Sequence, residues 1–84
     1  MSTIELPNST AFIANGYHVS FGQRAAGFGA MRGRFDRYDV MAAMRQAGLA
    51  EDALWRASDR LMQAERKAGR IRRTADKNAW EQIA

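Results

Sequence analysis

Two consecutive stretches, "DRYDVMAAMRQAG" and "EDALWRASDRLMQAERKAG", carry apolar residues at helical spacing, and each stops at a glycine, Gly48 and Gly69. Nothing else in the chain limits its fold as sharply, because two amphipathic helices joined by a tight turn must bury their apolar faces against each other and a third element. In the first stretch Asp36 stands at the N-cap and Asp39 at N3, the capping-box spacing with Asp in place of Glu. Phe35 then falls at N′ and Val40 at N4, the positions of a hydrophobic staple. Val40, Met41, Met44 and Ala47 make one apolar face, and Gly48 is a suitable C′ stop.

The spacing predicts a second, longer helix from near Asp52 to about Ala68, with Gly69 at C′. At the helical repeat Leu54, Ala57, Leu61, Ala64 and Ala68 share one face, with Ser58 and Glu65 at its edge. Arg56, Arg60, Gln63 and Lys67 cluster opposite. Trp55 and Met62 lie between the stripes, and Trp55 reads as core at the helix–helix contact. Beyond Gly69, "RIRRT" and "AWEQI" flank "ADKN". The alternation Arg70, Ile71, Arg72 suits a half-buried strand, so a hairpin turning at Asp76–Asn78 is expected, with Trp80 anchoring it to the core.

The first 33 residues are harder to read. Tyr17, Val19 and Phe21 alternate with His18 and Ser20, which supports a short strand or an irregular arm. The glycine-rich "GQRAAGFGAMRG" supports only a marginal helix around Gln23–Met31, because glycine loses backbone entropy in a helix. The chain thus divides into an arm, residues 1–33, and a unit, residues 34–84. Its expected class is mainly α with a small β-hairpin, that is α+β.

With 84 residues and no cysteine the core is small and unstapled by disulfides, though 46% hydrophobic residues suffice for a globular fold. The whole net charge of +4 comes from residues 31–84, which points weakly to a polyanionic partner. No apolar run is long enough to span a membrane, and the N-terminus lacks the layout of a secretory signal, so a cytoplasmic protein is the expectation.

The order helix, glycine turn, longer helix, glycine, basic hairpin resembles a winged helix-turn-helix DNA-binding domain over residues 34–84. "DVMAAMRQAGLAEDALWRASDRL" is similar to a helix-turn-helix unit, with Gly48 as turn glycine, Leu49 after it and Leu54 as the buried aliphatic residue. "RLMQAERKAGRIRR" resembles a recognition helix running into a first wing strand, and "AWEQI" a second. The resemblance implies a DNA contact made by Arg56, Arg60, Gln63 and Lys67 on the helix and by Arg70, Arg72, Arg73 and Lys77 on the wing. Long donors on an exposed helix suit phosphates and base edges in a major groove, and bases on a hairpin suit the neighbouring backbone. Met44 stands where such units usually have a small residue. The helix that normally precedes the unit has only the glycine-rich stretch to form from.

Catalysis is not expected. One histidine and no cysteine exclude Cys/His nucleophilic pairs and thiolate zinc sites, and no metal or cofactor is expected. The capping box accounts for Asp36 and Asp39, and "GFGAMRG" lacks the Gly-Lys-Ser/Thr ending of a phosphate loop. Two functions are therefore expected to compete. One is a small protein binding double-stranded DNA, a transcriptional repressor or an excisionase-like factor, acting as a homodimer with the segment "TAFIANGYHVSF" as interface. The other is a phage-type inhibitor of a host defence complex, anti-CRISPR-like, using the same scaffold on a protein or nucleoprotein partner. Asp36, Asp39, Glu51, Asp52 and Asp59 favour the second, since acids at the front of the unit repel phosphate.

Overall fold

The computed structural model describes residues 8–83. Strand β1 (Thr10–Ala14) pairs antiparallel with β2 (Tyr17–Ser20), which runs directly into helix α1 (Phe21–Gly29). A two-residue strand β3 (Arg34–Phe35) leads into α2 (Arg37–Gln46), a tight turn, and α3 (Glu51–Lys67). Strands β4 (Ile71–Arg73) and β5 (Trp80–Gln82) close the order. β5 lies between β3 and β4 and pairs antiparallel with both, so the second sheet has the order β3-β5-β4. The described chain is thus a small α+β fold with three helices and two small antiparallel sheets.

The local chemistry expected for α2 is present. The Asp36 carboxylate accepts from the Asp39 N–H at 2.9 Å, and the Asp39 carboxylate accepts from the Asp36 N–H at 2.9 Å. Phe35 and Val40, the staple pair, are both buried. At the other end the Gly48 N–H donates to the Arg45 carbonyl and the Leu49 N–H to the Met44 carbonyl, a Schellman closure with Gly48 at φ +94°. α3 closes identically: Gly69, at φ +75°, donates to the Arg66 carbonyl and Arg70 to that of Glu65.

The arm is more ordered than the sequence reading expects. Asn15 and Gly16, both at positive φ, make the two-residue turn that joins β1 to β2. Ser20 then caps α1: its hydroxyl accepts from the Gln23 N–H at 3.1 Å while the Gln23 side chain accepts from the Ser20 N–H at 3.0 Å. This reciprocal pair offsets the poor helix propensity of Gly22, Gly27 and Gly29. His18 lies on the exposed side of β2, bonded to the Thr10 hydroxyl at 2.9 Å.

One core cluster holds the molecule together, drawing on Val19 from β2, Val40 and Met44 from α2, Leu54, Ala57 and Leu61 from α3, and Ile71 and Trp80 from the second sheet. Each large apolar side chain so buried contributes about 1.5–3 kcal/mol. Met44 fits because Gly27 of α1 faces it. A β-carbon at Gly27 would come within 2.5 Å of Leu61 Cδ1 and 3.1 Å of Met44 Sδ. The small residue that lets the helices approach is therefore on α1 rather than on α2.

Three expectations are corrected. Ala64 and Ala68 are exposed, because the buried residues of α3 end at Met62 and its last turn projects past the core. Ala47 is the exposed C-cap of α2 rather than part of its apolar face. Trp55 is not core: it is 57% exposed, with the Arg37 guanidinium 4.5 Å from its ring centroid.

Candidate nucleic-acid interface

The core-facing arc of α3 dictates its outer face. With Ala53, Leu54, Ala57, Ser58, Leu61 and Met62 turned inward, Trp55, Arg56, Arg60, Arg66 and Lys67 are left outward. Ser58 is polar and fully buried, but its hydroxyl donates to the Leu54 carbonyl at 2.6 Å, so no group is orphaned. At its start α3 has no side-chain cap, and Glu51 and Asp52 carry negative charge at the positive end of the helix dipole.

Each acid near this face has an internal partner. Glu51 accepts from Arg45 at 2.6 and 3.1 Å, tying the end of α2 to the start of α3. That hydrogen-bonded pair holds the Glu51 carboxyl below its ordinary range, against an opposing effect of desolvation, and raises Arg45 above its own. Asp52 accepts from the Tyr17 hydroxyl at 3.3 Å, and its backbone carbonyl accepts from the Asn15 amide at 2.9 Å. The β1–β2 hairpin is thereby docked on the first turn of α3. Asp59 lies 3.0 Å from Arg37 Nη1, an ionic contact off the hydrogen-bond axis, since that buried nitrogen has no aligned acceptor.

The eight side chains expected to touch DNA, seven bases and one amide, fall into four environments. Arg56 and Lys67 on α3 and Lys77 on the hairpin turn are exposed and without an ion pair among the described residues. Arg60 lies over the Phe12 ring at 4.7 Å, and Arg73 over the Trp80 ring at 5.0 Å. These stacks hold the guanidinium planes in place while their N–H edges can still donate. Gln63 is half-buried and accepts from Arg66 Nε at 3.0 Å. The other two arginines are in ion pairs. Arg70 donates to both Glu65 oxygens at 2.9 Å, and that hydrogen-bonded pair raises its pKa. Arg72 donates to Glu81 at 2.6 Å directly across the β4–β5 ladder.

The hairpin turn is built by side chains. Asp76 Oδ1 accepts from the Asn78 N–H at 3.0 Å, and the Thr74 N–H donates to the Ala79 carbonyl at 3.1 Å, so Lys77 is held at the tip. Sequence reasoning passed over Arg37 and Tyr38 in the first turn of α2. With the exposed Trp55, they face the hairpin across a cleft that also includes Arg73, Lys77 and Asn78. The helical period alone gave no sign of this, because its members come from three elements. Among the described residues no group of His, Asp or Glu is placed to hold a metal, and no helix is long and apolar enough to cross a membrane. Compared with known protein families, with curated proteins and with solved structures, the chain matches none.

Proposed function

We propose that the chain binds double-stranded DNA as a winged helix-turn-helix, with α3 as recognition helix and the β4–β5 hairpin as wing. The observation that carries this reading is the distribution of unpaired positive charge. Arg56, Arg60, Arg66 and Lys67 on α3, and Arg73 and Lys77 on the hairpin, have no acidic partner among the described residues, while the nearby acids are engaged internally. The acids that speak for a basic protein partner are thus largely satisfied within the fold. Supporting the architecture are the order helix, short strand, helix, glycine turn, helix, hairpin, and the pairing of β5 with both β3 and β4. Arg70 and Arg72 are reserve contacts, since an exposed ion pair is worth at most about 1 kcal/mol and exchanges readily for phosphate.

In this reading the protein serves as a small repressor or an excisionase-like factor. A pair of copies on two half-sites compensates for the limited affinity of one short reading helix. Titration of random duplex at two salt concentrations tests it. Binding should fall with salt at a log–log slope of about −0.9 per phosphate neutralised, and Arg56→Ala and Lys67→Ala should each reduce the slope by about one. Absence of binding at low salt sinks the proposal.

A further inference from the structure

A cleft of about 460 Å³ opens between the first turn of α2, the early part of α3 and the β4–β5 hairpin. Tyr38 and Trp55 line it and are 74% and 57% exposed, the highest values among the exposed large apolar side chains of the described residues. Single exposed aromatics are ordinary, but two converging on a concave, cation-rich site are not required by the fold. Trp55 is held in orientation by Arg37, stacked at 4.5 Å and itself tied to Asp59 at 3.0 Å. More than half of the residue's surface is left open. On the opposite wall Arg73 is backed by the buried Trp80, which presents the guanidinium as a second fixed plane. Lys77 and Asn78 stand at the rim on the hairpin turn. Asp36 also borders the cleft, but its carboxylate is engaged in capping α2.

Stackable planes set beside cations match the two halves of an unpaired nucleotide, a base with exposed faces and a phosphate. A base inside a duplex already has both faces covered and cannot use such planes. The geometry points to a site for an unpaired nucleotide of DNA. Trp55 and Tyr38 supply stacking faces, Arg73 and Lys77 receive the backbone phosphate, and the Asn78 amide can meet a base edge. The inference rests on the DNA-binding reading and narrows its target to duplex adjoining an unpaired position. An acidic protein surface would also find cations here, but it has no use for two open aromatic rings, one of them held in place by an arginine.

The test uses the full chain and three labelled probes: a blunt duplex, the same duplex with a thymidine overhang, and oligothymidine alone. The overhang duplex should bind more tightly than the blunt one. Trp55→Ala and Tyr38→Ala should each weaken overhang binding at least about fivefold, the lower end of base–aromatic stacking, and leave blunt-duplex binding unchanged. Both side chains are exposed, so neither variant removes core. Oligothymidine should quench the tryptophan fluorescence of the wild type, and a Trp55→Phe variant, which retains only the buried Trp80, should show little quenching. Equal binding of blunt and overhang duplexes, or a preference unaffected by Trp55→Ala, overturns the inference and leaves the duplex reading standing. Quenching by oligothymidine without duplex binding supports the cleft and sinks the duplex reading. Binding of none of the probes overturns both.

Discussion

At Gly27 the missing β-carbon decides how closely α1 approaches its neighbours. Alanine there would gain about 1 kcal/mol of helix propensity, but its methyl would meet Leu61 Cδ1 at 2.5 Å inside a filled core. Overpacking costs about 1–3 kcal/mol, so Gly27→Ala should destabilise by about 1 kcal/mol net. Denaturant melts of Gly27→Ala in wild-type and Leu61→Val backgrounds check this, because the penalty should shrink when Leu61 is trimmed. The two tryptophans make the complementary case. Trp80 is 6% exposed and Trp55 57%, so Trp80→Ala should cost about 3–5 kcal/mol and Trp55→Ala far less by the same melts. From sequence the two cannot be told apart, since an indole at the border of an apolar stripe is large enough to read as core. What turns Trp55 outward is the phase of α3, whose core-facing arc is taken by Ala53, Leu54, Ala57, Ser58, Leu61 and Met62; Arg37 of α2 then stacks on the exposed indole.

Among the elements, α2, α3 and the β4–β5 hairpin were legible because each has chemical punctuation: the Asp36–Asp39 box, the stops at Gly48 and Gly69, and the Asp76–Asn78 turn. The β1–β2 hairpin and α1 were under-read although their signals were present. Asn15-Gly16 is the favoured two-residue hairpin turn, and Ser20 with Gln23 makes a capping box, but the poor helix propensity of Gly22, Gly27 and Gly29 masks both. β3 had no readable signal, because two residues cannot establish a period and its strand partner, β5, is remote in sequence. The joint between α2 and α3 carries a pH prediction. The Glu51 carboxyl is depressed by its hydrogen bonds from Arg45, so its contribution to stability is complete above the ordinary carboxylate range and is lost as pH falls through the depressed value. Thermal melts should therefore show wild type above Arg45→Ala at neutral pH and the two converging in acid. Because the pair is exposed, salt should narrow the gap as well.

For the whole molecule, net charge understates the usable charge. Of the thirteen Lys and Arg residues, several are held against carboxylates, and the pairs Arg70–Glu65 and Arg72–Glu81 lie beside the proposed DNA face. Glu65→Gln and Glu81→Gln should free those guanidinium groups, strengthen duplex binding and steepen its salt dependence by up to about one per arginine, as read by the same salt titration. Composition shows the sign of the surplus but not which bases are already engaged; that depends on cross-strand register and on the Schellman closure that brings Arg70 back to Glu65. The β3-β5-β4 sheet has a temporal consequence. Phe35 pairs with Trp80 across all of α2 and α3, so the sheet cannot close until the chain has been synthesised through β5. The helices can assemble on local contacts well before that, and the late-closing strand brings with it Trp80, the support for Arg73. A chain ending at Gly69 would carry α3 without its hairpin and without Ile71 and Trp80 of the core, so the proposed binding surface is completed only by the last strand.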